Sequence, residues 1–333
     1  MSPEANGSGE ESGAQRVSAE RSAANPDMPG TLFRQTARLE IHPIPTQTLS
    51  DRQFLTGQTN GEPALIAGEL RLPVVEGPFP AVILIHGSGG VGGNVNRWAA
   101  ELNNIGVAAF IVDCFSGRGI GSTIADQSRL GGLTMIYDAY CALAFLSKRP
   151  SIDPLRIALM GFSKGGFVAL YSSMKRFQTY YAPKDAKFAA YIPFYTRCDI
   201  RLAQDEDVSD RPIRIFHGEA DDWIPVEPVR RYVERLQAAG KDVQLTIYAG
   251  ARHAFDSPNY PPVFRFEDAE ISRNCRLAEK DGEILNLDTG KPYTNRDACV
   301  TRGATVGSHE EAYGRALLAV RELLRDTFDL PVL

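Results

Sequence analysis

The sequence predicts an α/β fold with a mostly parallel central sheet covered by helices on both faces. Three observations carry this. Short apolar runs at 81–85, 107–112, 156–160, 188–194, 213–216 and 243–248 have the length and bulk of buried strands. Stretches with helical spacing separate them, at 97–105, at 133–148 and directly after Ser163. A serine walled by glycines, Gly161-Phe162-Ser163-Lys164-Gly165-Gly166, stands where one strand passes into one helix.

The elements follow in order. Residues 1–29 are rich in Ser, Ala, Gly and Glu and read as a disordered leader. They lack the apolar stretch of a secretory signal, and Glu4, Glu10, Glu11 and Glu20 argue against a transit peptide. A single domain is expected over 30–333. Runs 37–44 and 64–72 read as an antiparallel start to the sheet, the second ended by Pro73. Pro225 opens the helix after the strand at 213–216, where a missing N–H costs nothing, and Gly240 closes it. Ser308-His309-Glu310-Glu311 has the form of a capping box, with Ser308 as the cap of a closing helix that runs to about 327. Residues 256–307 break the rhythm. They are polar and weakly periodic, and read as a loop insertion, either over the site's mouth or as a surface flap.

Composition excludes several functions. The net charge of −5 leaves no basic footprint for nucleic acid. No apolar run approaches the ~20 residues of a membrane span. The five cysteines, an odd number without a signal peptide, favour reduced thiols and a cytoplasmic protein. Cys275 and Cys299, which flank a polar stretch, are the pair that could staple it. No CxxC or Cys/His cluster points to a metal.

The chemistry begins at Ser163. In G-x-S-x-G the turn is so sharp that residues two before and two after the serine approach each other, so Gly161 and Gly165 are needed there. A serine hydroxyl also needs a base. Of the five histidines, His253 follows the last strand and comes after Ser163 in the chain. His86 and His217 each end a strand before a glycine and read as loop-shaping residues; His42 lies before the alternating core and His309 in a helix's first turn. Asp221, on the loop after 213–216, is the acid, with Asp222 and Glu219 as rivals; Asp222 could instead cap the next helix. The order Ser…Asp…His is that of a nucleophile-elbow hydrolase. The Lys164 N–H at the helix start and the Ser88 N–H in His86-Gly87-Ser88-Gly89-Gly90 are the expected oxyanion donors, with Gly89 as the alternative to Ser88. Trp223, beside the acid, is either a wall of the acyl pocket or a core residue.

Together these residues resemble the α/β-hydrolase superfamily, most closely the dienelactone hydrolase family, over roughly 64–327. The likeness rests on HGSGG (86–90), DCFSGRG (113–119), GFSKGG (161–166), HGEADDWIP (217–225) and GARHAF (250–255). It implies an α/β-hydrolase fold and hydrolysis without a cofactor. The founding enzymes carry a cysteine nucleophile where this chain has Ser163. They also grip a substrate carboxylate with arginines. Arg118 matches one, and 254–257 has none for the other. A serine esterase acting on a small-molecule ester or lactone is therefore expected, with no nucleic acid or membrane as partner and a homodimer left open. A peptidase or amidase with the same three residues, and a non-catalytic ligand-binding fold, are the alternatives.

Overall fold

A computed structural model of the chain describes residues 36–331, so the leader expected over 1–29 lies outside the described residues. Eight strands form one sheet. In chain order they are β1 (Thr36–Thr48), β2 (Glu62–Pro73), β3 (Phe79–Ile85), β4 (Ala108–Asp113), β5 (Ile152–Phe162), β6 (Tyr191–Phe194), β8 (Ile213–Gly218) and β9 (Val243–Tyr248). The two-residue β7 (Ile200–Arg201) belongs to a smaller sheet. The spatial order is β1-β2-β4-β3-β5-β6-β8-β9. β2 runs antiparallel to both β1 and β4, and every later pairing is parallel.

Parallel neighbours need crossover helices, and these cover both faces. Within β3, Ala81, Ile83 and Ile85 face one core cluster, while Val82 and Leu84 face the other. The first cluster takes in α3 (Gly132–Leu146), α4 (Lys164–Tyr171) and α6 (Val226–Ala238). In α6 the buried residues are Val229, Tyr232, Val233 and Leu236, a spacing that puts one apolar stripe on the sheet. The second cluster takes in α2 (Gly93–Asn104) and α7 (Glu310–Phe328). Two short helices complete the set: α1 (Asp51–Leu55), opened by a Ser50–Gln53 capping box, and α5 (Lys175–Tyr181).

Two expectations are corrected. The cap of α7 is His309, whose Nδ1 accepts the Ala312 N–H at 3.2 Å; the helix begins one residue later than a Ser308 cap requires. The insertion is not a structureless loop. It folds into β10 (Phe264–Ile271), β11 (Leu277–Lys280), β12 (Glu283–Asn286), β13 (Lys291–Pro292) and β14 (Thr301–Val306). β10 pairs with β14, while β11 joins β7 of the main body in parallel. A Cys275–Cys299 disulfide staples it, whereas Cys114, Cys141 and Cys198 are free, so reduced thiols describe only these three. The insertion's two ends meet: the Gly307 N–H donates to the His253 carbonyl at 3.0 Å, and the His309 N–H to the Phe255 carbonyl at 2.8 Å. Among the described residues no helix is long and apolar enough to cross a membrane.

Candidate active site

β5 ends at Phe162 and α4 begins at Lys164, so the whole change of direction falls on Ser163. Its φ of 57° and ψ of −113° lie where a side chain is strained, at a cost of order 1–3 kcal/mol. Packing holds it there. A Cβ on Gly161 would collide with the Gly165 carbonyl, and one on Gly165 with the Ile85 carbonyl of the neighbouring strand. The Ser163 N–H donates to the Phe194 carbonyl at 3.0 Å, which ties the turn to β6.

Two loops at the same sheet edge bring His253 and Asp221 up to Ser163. His253 Nε2 lies 2.9 Å from Ser163 Oγ, and its Nδ1 lies 2.7 Å from Asp221 Oδ2. Because the carboxylate can only accept, Nδ1 carries the hydrogen and Nε2 is free to take the serine proton. The other Asp221 oxygen accepts the Trp223 and Ile224 N–H groups at 3.0 and 2.8 Å, which locks the carboxylate plane. His253 and Asp221 are only 2% and 5% exposed, so water competes little for these bonds.

The imidazole is held from the sides as well. Tyr195 and Trp223 stand against it at ring-centroid distances of 4.7 and 5.0 Å. Tyr195 is fixed in turn by Asp256, which accepts its hydroxyl at 2.8 Å and the Trp98 Nε1–H at 2.7 Å. Burial pushes the Asp256 carboxyl up from its ordinary range. The remaining strand-end histidines shape loops, as expected. His86 Nε2 accepts the Cys114 N–H at 3.1 Å, and His217 Nε2 donates to the Ile224 carbonyl at 2.8 Å. Burial lowers the pKa of both.

The other expected residues divide. Ser88 and Trp223 stand with Ser163 in the walls of two cavities, of about 560 and 270 Å³. Lys164 places its backbone at the start of α4, but its side chain turns inward. Nζ donates to Thr123 Oγ1 at 2.9 Å and to the Leu130 carbonyl at 2.8 Å. Burial, aided by Arg197, lowers its pKa to about 7 against the pull of Glu270, Asp126 and Asp51.

Arg118 is a correction. Its guanidinium makes a buried ion pair with Asp138 of α3, at 2.7 and 2.9 Å, and also donates to the Cys114 carbonyl. It ties the β4 loop to α3, and its donors are spent on protein groups. Asp222 is a second correction: it does not cap α6 but accepts the Thr305 N–H of β14 at 2.8 Å. Sequence reasoning missed Glu270, Tyr293 and Asn295, which the insertion brings to the larger cavity. Nothing in their local pattern marks them. Among the described residues no cluster of three or more His, Cys, Asp or Glu side chains could hold a metal ion.

The profile of the dienelactone hydrolase family matches residues 66–280, a span that includes Ser163, Asp221 and His253. The chain belongs to the dienelactone hydrolase family. This dienelactone hydrolase family member is 26% identical over 258 residues to a Methylorubrum extorquens protein provisionally named a carboxymethylenebutenolidase, covering 70% of this chain and 84% of that one. It is 27% identical over 206 residues to a probable 2-oxo-3-(5-oxofuran-2-ylidene)propanoate lactonase of Bradyrhizobium sp, covering 59% and 81%. Among solved structures, the dienelactone hydrolase-like promiscuous phosphotriesterase P91 from metagenomic libraries superimposes with a TM-score of 0.56 at 16% identity, covering 87% and 98%. Thermogutta terrifontis esterase 2 phosphorylated by paraoxon does so with a TM-score of 0.50 at 18% identity, covering 80% and 91%. Those two likenesses bear on the fold, which is that of the α/β hydrolases. The dienelactone hydrolase family is one of hydrolases, and this member is a hydrolase by descent.

Proposed function

We propose that this protein is a serine hydrolase that cleaves carboxylic esters or lactones through an acyl-enzyme on Ser163. The observation that carries the reading is the unbroken hydrogen-bonded chain from Asp221 through His253 to Ser163, with links of 2.7 and 2.9 Å. Ser163 Oγ attacks the carbonyl carbon while its proton passes to His253 Nε2. The imidazolium that forms is stabilised by Asp221, which stays ionised. Collapse of the tetrahedral intermediate breaks the bond to the alcohol oxygen, which takes the proton from Nε2. Water then repeats the sequence on the acyl-enzyme, His253 taking its proton and returning it to Ser163.

The developing oxyanion is held by the N–H groups of Lys164 and Ser88, Gly89 being the alternative to Ser88. Each such donor contributes about 10²–10³ in rate. The positive end of α4 adds to the Lys164 donor. The name of the Bradyrhizobium relative, a lactonase, supports the same class of carbonyl substrate.

Two measurements test the reading together. Turnover of a p-nitrophenyl ester is expected to vanish in Ser163→Ala while the folded structure persists. A fluorophosphonate probe is expected to form its adduct on Ser163. Unchanged turnover in the variant, or an adduct elsewhere, overturns the reading.

A further inference from the structure

Ser163 does not open into one cavity but into two. The larger, about 560 Å³, is lined by Leu133 of α3 and Phe167 of α4 and by Ile284 and Tyr293 of the insertion. The smaller, about 270 Å³, lies under the glycine-rich loop after β3 and is walled by Tyr260, Phe266 and Val306. Ser88, Ser163 and Trp223 belong to both linings. His253 belongs only to the smaller one.

Trp223 is well built for a partition. Its backbone N–H is held by Asp221 at 3.0 Å, and its indole N–H donates to the Glu270 carbonyl at 3.3 Å. Its ring packs with Phe266 and Ile124 against a small apolar cluster of Ala269, Ile271 and Ala304. Both the acid loop and the insertion therefore grip it.

Resting on the proposed ester hydrolysis, we propose that Trp223 divides the substrate. The acyl part occupies the larger cavity, and the leaving alcohol occupies the smaller one. The argument is one of proton delivery. In the acylation step the leaving oxygen must receive its proton from His253 Nε2, so the alcohol departs into the cavity whose lining includes His253. That cavity is the smaller one, so the acyl group is left with the larger. The implied substrate class is an ester of a bulky acyl group with a compact apolar or aromatic alcohol. The larger cavity holds about twice the volume of the smaller.

The test uses two panels on the full chain: one leaving group with acyl chains of increasing length, and one short acyl group with alcohols of increasing size. Tyr293→Ala and Phe266→Ala each remove one wall at a partly exposed position. Tyr293→Ala is expected to raise the relative kcat/KM for long acyl chains about 10-fold, the scale of one or two methylenes in a pocket, and to leave the alcohol ranking unchanged. Phe266→Ala is expected to do the converse. Crossed responses, or no change in either ranking while turnover persists, overturn the partition alone. Absence of any ester turnover in the wild type removes the ester reading and the partition with it.

Discussion

Asp222 accepts the Thr305 N–H at 2.8 Å, while Asp221, its neighbour in the chain, accepts His253 Nδ1–H at 2.7 Å. Two adjacent carboxylates thus face two different partners, one of them in the insertion and one in the hydrogen-bonded chain that ends at Ser163. Replacing each by asparagine separates the roles. Asp221→Asn is expected to lower kcat by about 10⁴, since an amide favours the wrong imidazole tautomer. Asp222→Asn keeps an acceptor for Thr305 and is expected to leave kcat within a few-fold. Steady-state kinetics on one ester decides between them, and equal losses would contradict the assignment.

Gly165→Ala tests the steric account of the turn. Its methyl group would overlap the Ile85 carbonyl, so the start of α4 must move away from β3. A loss of about 1–3 kcal/mol is expected, with reduced kcat because Ser163 shifts with the turn. Gly121→Ala is the control, since nothing stands within 4 Å of its added Cβ. Thermal melts of the two should diverge by several degrees.

The buried Lys164 ammonium predicts a pH signature. Its pKa is about 7 in the folded chain and falls from the ordinary value of 10.5. Between those values the unfolded chain binds the extra proton, so this group's contribution to stability rises with pH. The burial penalty is full below pH 7 and is relieved as the lysine loses its charge. Lys164→Met removes the titration. Unfolding by urea at pH 6.5, 8 and 9.5 should show wild type gaining on the variant as pH rises. A constant difference would contradict the burial argument.

The Cys275–Cys299 bond closes the part of the insertion that carries Tyr293 and Asn295 to the larger cavity. A disulfide of this kind stabilises by about 2–4 kcal/mol. Replacing both cysteines by serine is expected to expose 273–300 to limited proteolysis before the main sheet unfolds. Acyl preference should change more than the melting temperature. Cooperative loss of the whole fold would instead make the staple part of the central structure.

The elbow and the two residues in its hydrogen-bonded chain are legible in the sequence, and the reasons are local. The elbow declares itself because a sharp turn excludes Cβ atoms at fixed positions, and Gly161 and Gly165 sit at them. Asp221 and His253 follow strands whose apolar runs are unmistakable, so their placement at one sheet edge follows from the parallel topology. Distant pairings were not legible. Arg118 looked free for a ligand because nothing near it in the chain announces Asp138 on α3 as its partner. The insertion hid its strands because they are short and take partners from far away: Leu277 pairs with Ile200 across the chain. At α7, Ser308 and Glu311 satisfied the capping pattern, yet the imidazole of His309 reaches the Ala312 N–H from one residue closer.

The meeting of the insertion's two ends beside His253 has an evolutionary corollary. A segment that departs and returns through neighbouring backbone bonds, Gly307 to His253 and His309 to Phe255, has its two ends anchored side by side on the frame. Doubling the length of a flexible loop between such anchors costs only about 0.6 kcal/mol of closure entropy. Changes in the insertion's length between these anchors therefore cost little closure entropy, and His253 beside them keeps its place.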